Sequence, residues 1–176
     1  MALDPDITIK PLHIRDDSMV ADFGAGSGAF TLSASKIIHT GKIFAVDIQR
    51  GLLPLIVSNV GAIHKKNIEI IWGNIESVGG SKLKDNSIDI VFFANMLFQI
   101  KDKHIAIAEI KRVLKTGGQL LVVDWKDSYV GFGPKKDDVV NQESAKNLFE
   151  ENGFIFSAEV PAGKHHYGII FTLSNK

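Results

Sequence analysis

A chain of 176 residues with 45% hydrophobic content is the size of one ordinary domain, and it can fill a core without help from disulfides or metals. Its 20 acidic and 20 basic residues balance, so no long-range field of one sign draws it to a nucleic-acid backbone or an anionic membrane. Nucleic acid is therefore disfavoured as a partner, and the absence of cysteine excludes any mechanism built on a thiolate nucleophile or thiolate metal ligand.

The first residues, Met-Ala-Leu-Asp-Pro-Asp, form no basic-then-apolar leader, and no apolar run approaches the ~18 residues of a membrane span, so a cytoplasmic protein with no membrane partner is expected. Short β-rich runs alternate with longer segments of helical spacing, which reads as α/β. The first strand is expected at Met19–Phe23, followed by a glycine turn and a helix carrying Phe30, Leu32, Ala34, Ile37 and Ile38. A second strand covers Lys42–Asp47. The helix after it spans residues 50–63, with Pro54 tolerated in a first turn whose amides lack partners in any case.

Ile68–Trp72 gives a third strand that leads into Gly73-Asn74, and the almost continuously apolar run 87–94 suits a central strand covered on both faces. Residues 103–115 form a helix with Ile105, Ala108, Ile110, Val113 and Leu114 inward, stopped by Gly117-Gly118, and a fifth strand occupies 119–125. The glycine, proline and charge of 126–140 read as a surface loop in which Phe132 and Pro134 suit either a cover over the site or a solvated segment. Asn141 caps a last helix that ends at Gly153. Strands at 154–160 and 167–173, joined through Pro161-Ala162-Gly163, close the sheet as an antiparallel pair.

The chemistry concentrates in Asp22-Phe23-Gly24-Ala25-Gly26-Ser27-Gly28, between a strand and a helix, where glycines let backbone amides approach a ligand. Gly24, Gly26 and Ala29 also satisfy a dinucleotide-binding fingerprint, so the turn alone leaves a nicotinamide cofactor open. Asp22 separates the readings. An ionised carboxylate at a buried strand end costs several kcal/mol unless it is paired, and a ligand ammonium would pair it; helix amides or a lysine would also satisfy it. Asp47, at the end of the second strand, can accept from both ribose hydroxyls, or serve as an ordinary turn residue. Two carboxylates suit a cationic sulfonium cofactor better than a pyrophosphate.

These segments resemble the class I, seven-stranded S-adenosylmethionine-dependent methyltransferase family over nearly the whole chain, in its small bacterial and archaeal methyltransferase-domain branch. Residues 20–28 are similar to its first motif, Ala45 to Ile48 to its ribose-binding strand end, Gly73 to Glu76 to its adenine-contacting turn, and 114–125 to the segment leading into strand five. The resemblance implies one domain over residues 1–176, a three-layer αβα fold, and a mostly parallel seven-stranded sheet of order 3-2-1-4-5-7-6 with strand seven antiparallel. It also implies S-adenosyl-L-methionine as cofactor and S-adenosyl-L-homocysteine as product. Asp22, Phe23, Gly24, Ala25, Gly26, Ser27 and Gly28 would then hold the methionine part, Asp47 and Ile48 the ribose, Asn74 and Ile75 the adenine, and Asn95 would flank the sulfonium. Asn74 stands where the family commonly has aspartate, and Ala25 replaces a frequent cysteine.

The acceptor is less specified, because methyl transfer needs alignment, water exclusion and at most a proton acceptor. Without cysteine, cytosine C5 and arsenite methylation in their usual forms are excluded, and Asn95-Met96-Leu97-Phe98 lacks the two prolines typical of exocyclic amino methylation. A small-molecule acceptor is expected, with Gln99 a polar contact; Met96, Leu97 and Phe98 read as core or pocket. A protein or RNA acceptor, a non-catalytic cofactor-binding protein and a reductase are the alternatives, the last without a Tyr-x-x-x-Lys segment. Asp124, Lys126, His165, His166 and Tyr167 are the acid/base candidates, each equally readable as an ordinary strand or turn residue. Adjacent histidines on a strand point to opposite faces, so no metal is expected. The chain brings little sequence ahead of its first strand, which predicts an open pocket completed by a large partner or by a second copy in a homodimer.

Overall fold

The computed structural model describes residues 2–61 and 65–175. Seven strands form one sheet of order β3-β2-β1-β4-β5-β7-β6: β1 Met19–Phe23, β2 Lys42–Asp47, β3 Ile68–Trp72, β4 Ile88–Ala94, β5 Leu114–Trp125, β6 Phe154–Glu159 and β7 His166–Leu173. All neighbours are parallel except β7, which runs antiparallel to β5 and β6. This is the expected order and polarity. Chain direction across the sheet reverses between β1 and β4, and at such a reversal the helices depart to opposite faces and leave a crevice beyond the strand ends.

On one face, α1 (Pro5–Thr8) and α2 (Ala29–Ser35) place Ile9, Phe30, Ala34 and Ile38 against Val20, Phe92 and Leu121. α3 (Leu53–Val60) continues that layer, with Ile56 and Val60 on Ala25 and Ala45. On the other face, α4 (Lys103–Val113) and α5 (Gln142–Glu151) bring Ile107, Ile110 and Phe149 onto Phe23, Phe93 and Val122. Burial of one such phenylalanine contributes about 1.5–3 kcal/mol, so the doubly covered central strands anchor the domain. No helix among the described residues is long and apolar enough to cross a membrane.

Several boundaries differ from the sequence reading. The helix expected over 50–63 begins as a 3₁₀ turn at Arg50–Leu52, and α3 then runs with Pro54 in its first turn, where proline costs no hydrogen bond; the expected end at Ile63 lies outside the described residues. α4 stops at Val113 because Leu114 is already paired with Ile88 in the sheet, and the excursion through Gly117 separates that pair from Ile90 and Gln119. Its inward face also differs: Ala106, Ile107 and Glu109 are buried and Ile105 and Ala108 are not. Asn141 does cap α5, accepting the Ser144 amide at 2.9 Å, and Gly153 follows the helix in the left-handed region. α1 was not expected. Asp4 caps it by accepting the Asp6 amide at 3.0 Å, and Thr8 fastens it to the β6–β7 connection by donating to the Pro161 carbonyl at 2.8 Å.

Candidate cofactor crevice

A cavity of about 500 Å³ opens at the C-terminal ends of β1, β2, β3 and β4. Its floor follows from strand register. Asp22 stands opposite Ala45, and side chains alternate along a strand, so Asp47, two residues beyond Ala45, points to the same face as Asp22 about 7 Å nearer the strand tips. Both carboxylates line the cavity.

Asp22 is 2% exposed, and its Oδ2 accepts from the Thr31 amide at 3.0 Å and the Thr31 hydroxyl at 2.7 Å. The helix amide anticipated as an alternative partner is therefore present, on one oxygen. Burial pushes the Asp22 carboxyl up to about 6 against those hydrogen bonds, and the nearby charge of Asp47 pushes the same way. Asp47 is held at both oxygens: Oδ1 accepts the Gln49 amide at 2.8 Å and Oδ2 the Gly26 amide at 2.9 Å. The second bond ties the glycine turn to the tip of β2, as do the amides of Gly24 and Ala25, which donate to the Val46 carbonyl at 2.9 and 3.2 Å.

Gly24 lies at φ 73°, which favours glycine, and a Cβ there would run into the Met96 side chain where the turn passes under the segment after β4. Gly24, Ala25, Gly26 and Ser27 all line the cavity. Phe23 and Gly28 do not. Phe23 is fully buried in the core, as the alternation of β1 requires, and a Cβ on Gly28 would sit 3.0 Å from Ile56 Cγ2, so Gly28 serves the packing of α2 on α3. Five of the seven residues expected to hold the methionine part thus line the cavity, and these two lie behind its wall.

The far wall carries Ile48, Asn74 and Ile75, as the resemblance implied. Asn74 Oδ1 accepts the Glu76 amide at 2.9 Å in an Asx turn, and among the described residues its amino group has no hydrogen-bond partner. Trp72 braces this rim by donating to the Ile48 carbonyl at 2.9 Å, with the Arg50 guanidinium 3.9 Å from its ring centroid. Asn95 closes the near side. It is one of three described non-glycine residues at positive φ (58°), its amide donates to the Val123 carbonyl at 2.7 Å, and its buried Oδ1 has no hydrogen-bond partner among the described residues.

Leu3 and Pro5 also line the cavity, so the short N-terminal segment is part of the wall. One signal for this wall is Asp4-Pro5, a capping residue followed by proline at a helix start.

None of the five acid/base candidates lines the crevice. Asp124 is 1% exposed, and its carboxylate accepts the amides of Leu97 and Trp125, each at 2.8 Å; burial pushes it up to about 6 against those bonds. Tyr167 is buried, donates to the Val140 carbonyl at 2.9 Å, and is driven above its ordinary range by burial and then by Asp124. His165 and His166 sit in an aromatic cluster with Trp125, Tyr129 and Phe132. Phe132 is exposed while Pro134 is buried, so the two residues read together as a cover have different surroundings. No group of three or more metal-ligating side chains occurs among the described residues.

The family model described as a methyltransferase domain matches residues 21–122. The ubiquinone/menaquinone biosynthesis C-methyltransferase UbiE of Escherichia coli is 31% identical over 122 residues, 67% of this chain and 47% of the relative, so the chain spans about half the length of the curated relatives it matches. A SAM-dependent methyltransferase from Aquifex aeolicus superposes with a TM-score of 0.85 at 25% identity, covering 97% of this chain and 90% of its own. The YcgJ protein of Bacillus subtilis shares the fold (TM-score 0.74, 17% identity, 98% of each chain), as does the cyclase SpnF (TM-score 0.75, 18% identity, 89% of this chain and 59% of its own).

Proposed function

The chain belongs to the methyltransferase-domain family, and from that premise we propose that it is an S-adenosylmethionine-dependent methyltransferase acting on a small molecule. The observation that carries this reading is the convergence of Asp22, Asp47 and the orphaned Asn95 Oδ1 on one crevice of about 500 Å³. A buried carboxylate with one oxygen already bonded needs positive charge, and a cofactor bearing an ammonium and a sulfonium supplies it. Asp22 and the 24–27 turn would hold the amino-acid end, Asp47 and Ile48 the ribose, Asn74 and Ile75 the adenine. Asn95 would flank the sulfonium, its Oδ1 dipole facing the positive charge. With its oxygen engaged in the Asx turn, Asn74 would act chiefly through its amino group, donating to a ring nitrogen.

The bound cofactor supplies an electrophilic methyl group; the chain's own contribution is to bind, orient and exclude water. No titratable side chain of β5 or β7 reaches the crevice wall, which favours an acceptor that needs little help in losing its proton. The C-methyltransferase name of the Escherichia coli relative supports a small-molecule acceptor. A second reading is a non-catalytic or differently catalytic cofactor-binding domain, favoured by the structural likeness to a cyclase.

Calorimetry tests the cofactor. S-adenosylmethionine and its demethylated product should bind while NAD(P) does not, and the reverse would overturn the assignment. A radiolabelled methyl screen against metabolite, peptide and RNA pools then tests the reaction. Label in the metabolite pool is expected, and label in no pool would favour the second reading.

A further inference from the structure

A second cavity, of about 340 Å³, lies where β5 ends, β6 ends and β7 begins, at the same edge of the sheet as the crevice. The two are neighbours. Gly163 on the wall of the second packs so tightly on the N-terminal segment that a Cβ there would sit 2.8 Å from the backbone of Ala2 and Leu3, and Leu3 lines the first.

The chemistry of this cavity is that of an anion receptor. Lys126 and Lys164 both line it, and among the described residues neither side chain forms an ion pair or hydrogen bond. Glu159 is the one carboxylate on the wall and forms no ion pair with either lysine. His166 also lines it, and its Nε2 is buried without a hydrogen-bond partner among the described residues, an unfavourable arrangement that a ligand or water would complete. The His166 ring packs against Trp125, with the two centroids 4.2 Å apart.

We infer that this cavity binds the carboxylate or phosphate group of a small molecule, with Lys126 and Lys164 supplying charge and His166 Nε2 donating a hydrogen bond. On the reading proposed above, that molecule is the methyl acceptor, so the acceptor class is a small organic acid or phosphate ester.

Burial, and then the charges of His165 and Lys126, hold His166 below the ordinary histidine range. Lys164 and Glu159 share the cavity wall, and Tyr167 is the next residue on β7 with its hydroxyl committed to Val140. An anion placed between the lysines opposes the positive field at His166, so its binding must raise the histidine's pKa; a neutral or cationic ligand would not.

Nuclear magnetic resonance of the full chain tests this, with the His166 ring signal identified among the six histidines by its loss in His166→Gln. Inorganic phosphate and acetate are titrated separately against sodium chloride of equal ionic strength. Saturable movement of the His166 signal is expected with one or both, half-complete near about 1 mM as befits one isolated group, with a rise in its pKa. Tighter phosphate points to a phosphate ester and tighter acetate to a carboxylic acid. The double substitution Lys126→Gln/Lys164→Gln, at exposed positions that leave the core intact, should weaken binding at least tenfold. Movement that is the same in all three salts, or unaffected by the double substitution, overturns the inference. S-adenosylhomocysteine calorimetry on the same sample separates the two proposals: binding there without anion binding removes only the anion site, and no binding there removes the methyltransferase reading.

Discussion

Asp124 Oδ2, at the end of β5, accepts the backbone amide of Leu97 at 2.8 Å, across from the strand that feeds the cofactor crevice. With Oδ1 on the Trp125 amide and the Asn95 amide on the Val123 carbonyl, this clamps the turn after β4 in the conformation that holds Asn95 at positive φ. Asp124 is thus a positioning residue. Replacing it with asparagine would aim an amino group at one of two amides it must accept, and should weaken S-adenosylhomocysteine binding about tenfold. Burial holds the Asp124 carboxyl at about 6, so the parent should lose affinity as pH falls through 6, when the clamp takes up a proton. Calorimetry between pH 5 and 8 should show a shallower loss in Asp124→Asn. Identical profiles would remove the clamp from cofactor binding.

Asp22 leads to a trade between stability and binding. Its pKa rises from 3.8 unfolded to about 6 folded, so between those values the folded chain binds more protons than the unfolded chain. Its ionisation therefore opposes folding: the penalty is absent below about pH 4, grows as pH rises, and is complete above about 6. Asp22→Asn keeps an acceptor for Thr31 and removes that penalty, so it should stabilise the cofactor-free protein by about 1–3 kcal/mol at pH 7.5. It should also weaken S-adenosylmethionine binding at least tenfold by removing the partner of the ammonium. Urea unfolding and calorimetry check both, and a destabilised variant would contradict the origin of the shift.

Strand positions and most of the crevice were legible because they are written in short-range signals, whereas the sheet order came from the family resemblance. Alternating and continuous apolar runs mark strands, and Asp22, Gly24, Gly26 and Asp47 sit at fixed offsets from strand ends. What failed depends on tertiary partners. Glu109 is not in the inward set expected for α4, yet it is fully buried: although burial pushes its carboxyl up, hydrogen bonds from Arg112, Ser81 and the Gly79 amide hold it at about 2. That network turned the helix away from the expected Ile105 face. Phe23 and Gly28 lay inside a motif whose spacing marks a ligand turn without saying which members pack inward. The acid/base candidates were placed near the strand-end rim, and only the packing of Val140 and Leu97 reveals that Tyr167 and Asp124 are spent on backbone groups.

Asp47 should tolerate almost no substitution, because both of its oxygens accept backbone amides, from Gln49 and Gly26. Asparagine can satisfy only one of them and would press its own donor against the other. Asp47→Asn and Asp47→Ala should therefore both weaken S-adenosylhomocysteine binding, by about 1–3 kcal/mol, with asparagine offering little rescue. Calorimetry on folded variants decides this, and near-parental affinity in Asp47→Asn would mean that only shape is needed at that strand end.

Gly24 and Met96 should be energetically coupled. Alanine at 24 meets two costs: the left-handed φ of 73°, about 1–2 kcal/mol for a residue with a Cβ, and collision with Met96, whose Sδ, Cε and Cγ would lie 2.1, 2.8 and 2.9 Å from the new atom. Methionine is flexible and can move aside, but Met96 lines the crevice, so it would move at the expense of cofactor space. Gly24→Ala alone should lower both stability and cofactor affinity. Combined with Met96→Ala it should cost only the backbone strain, giving a coupling of about 1 kcal/mol in a double-mutant cycle by urea unfolding, with affinity for S-adenosylhomocysteine partly restored. Equal cost in both backgrounds would show that the backbone alone demands glycine, and that the approach of Met96 has no part in selecting it.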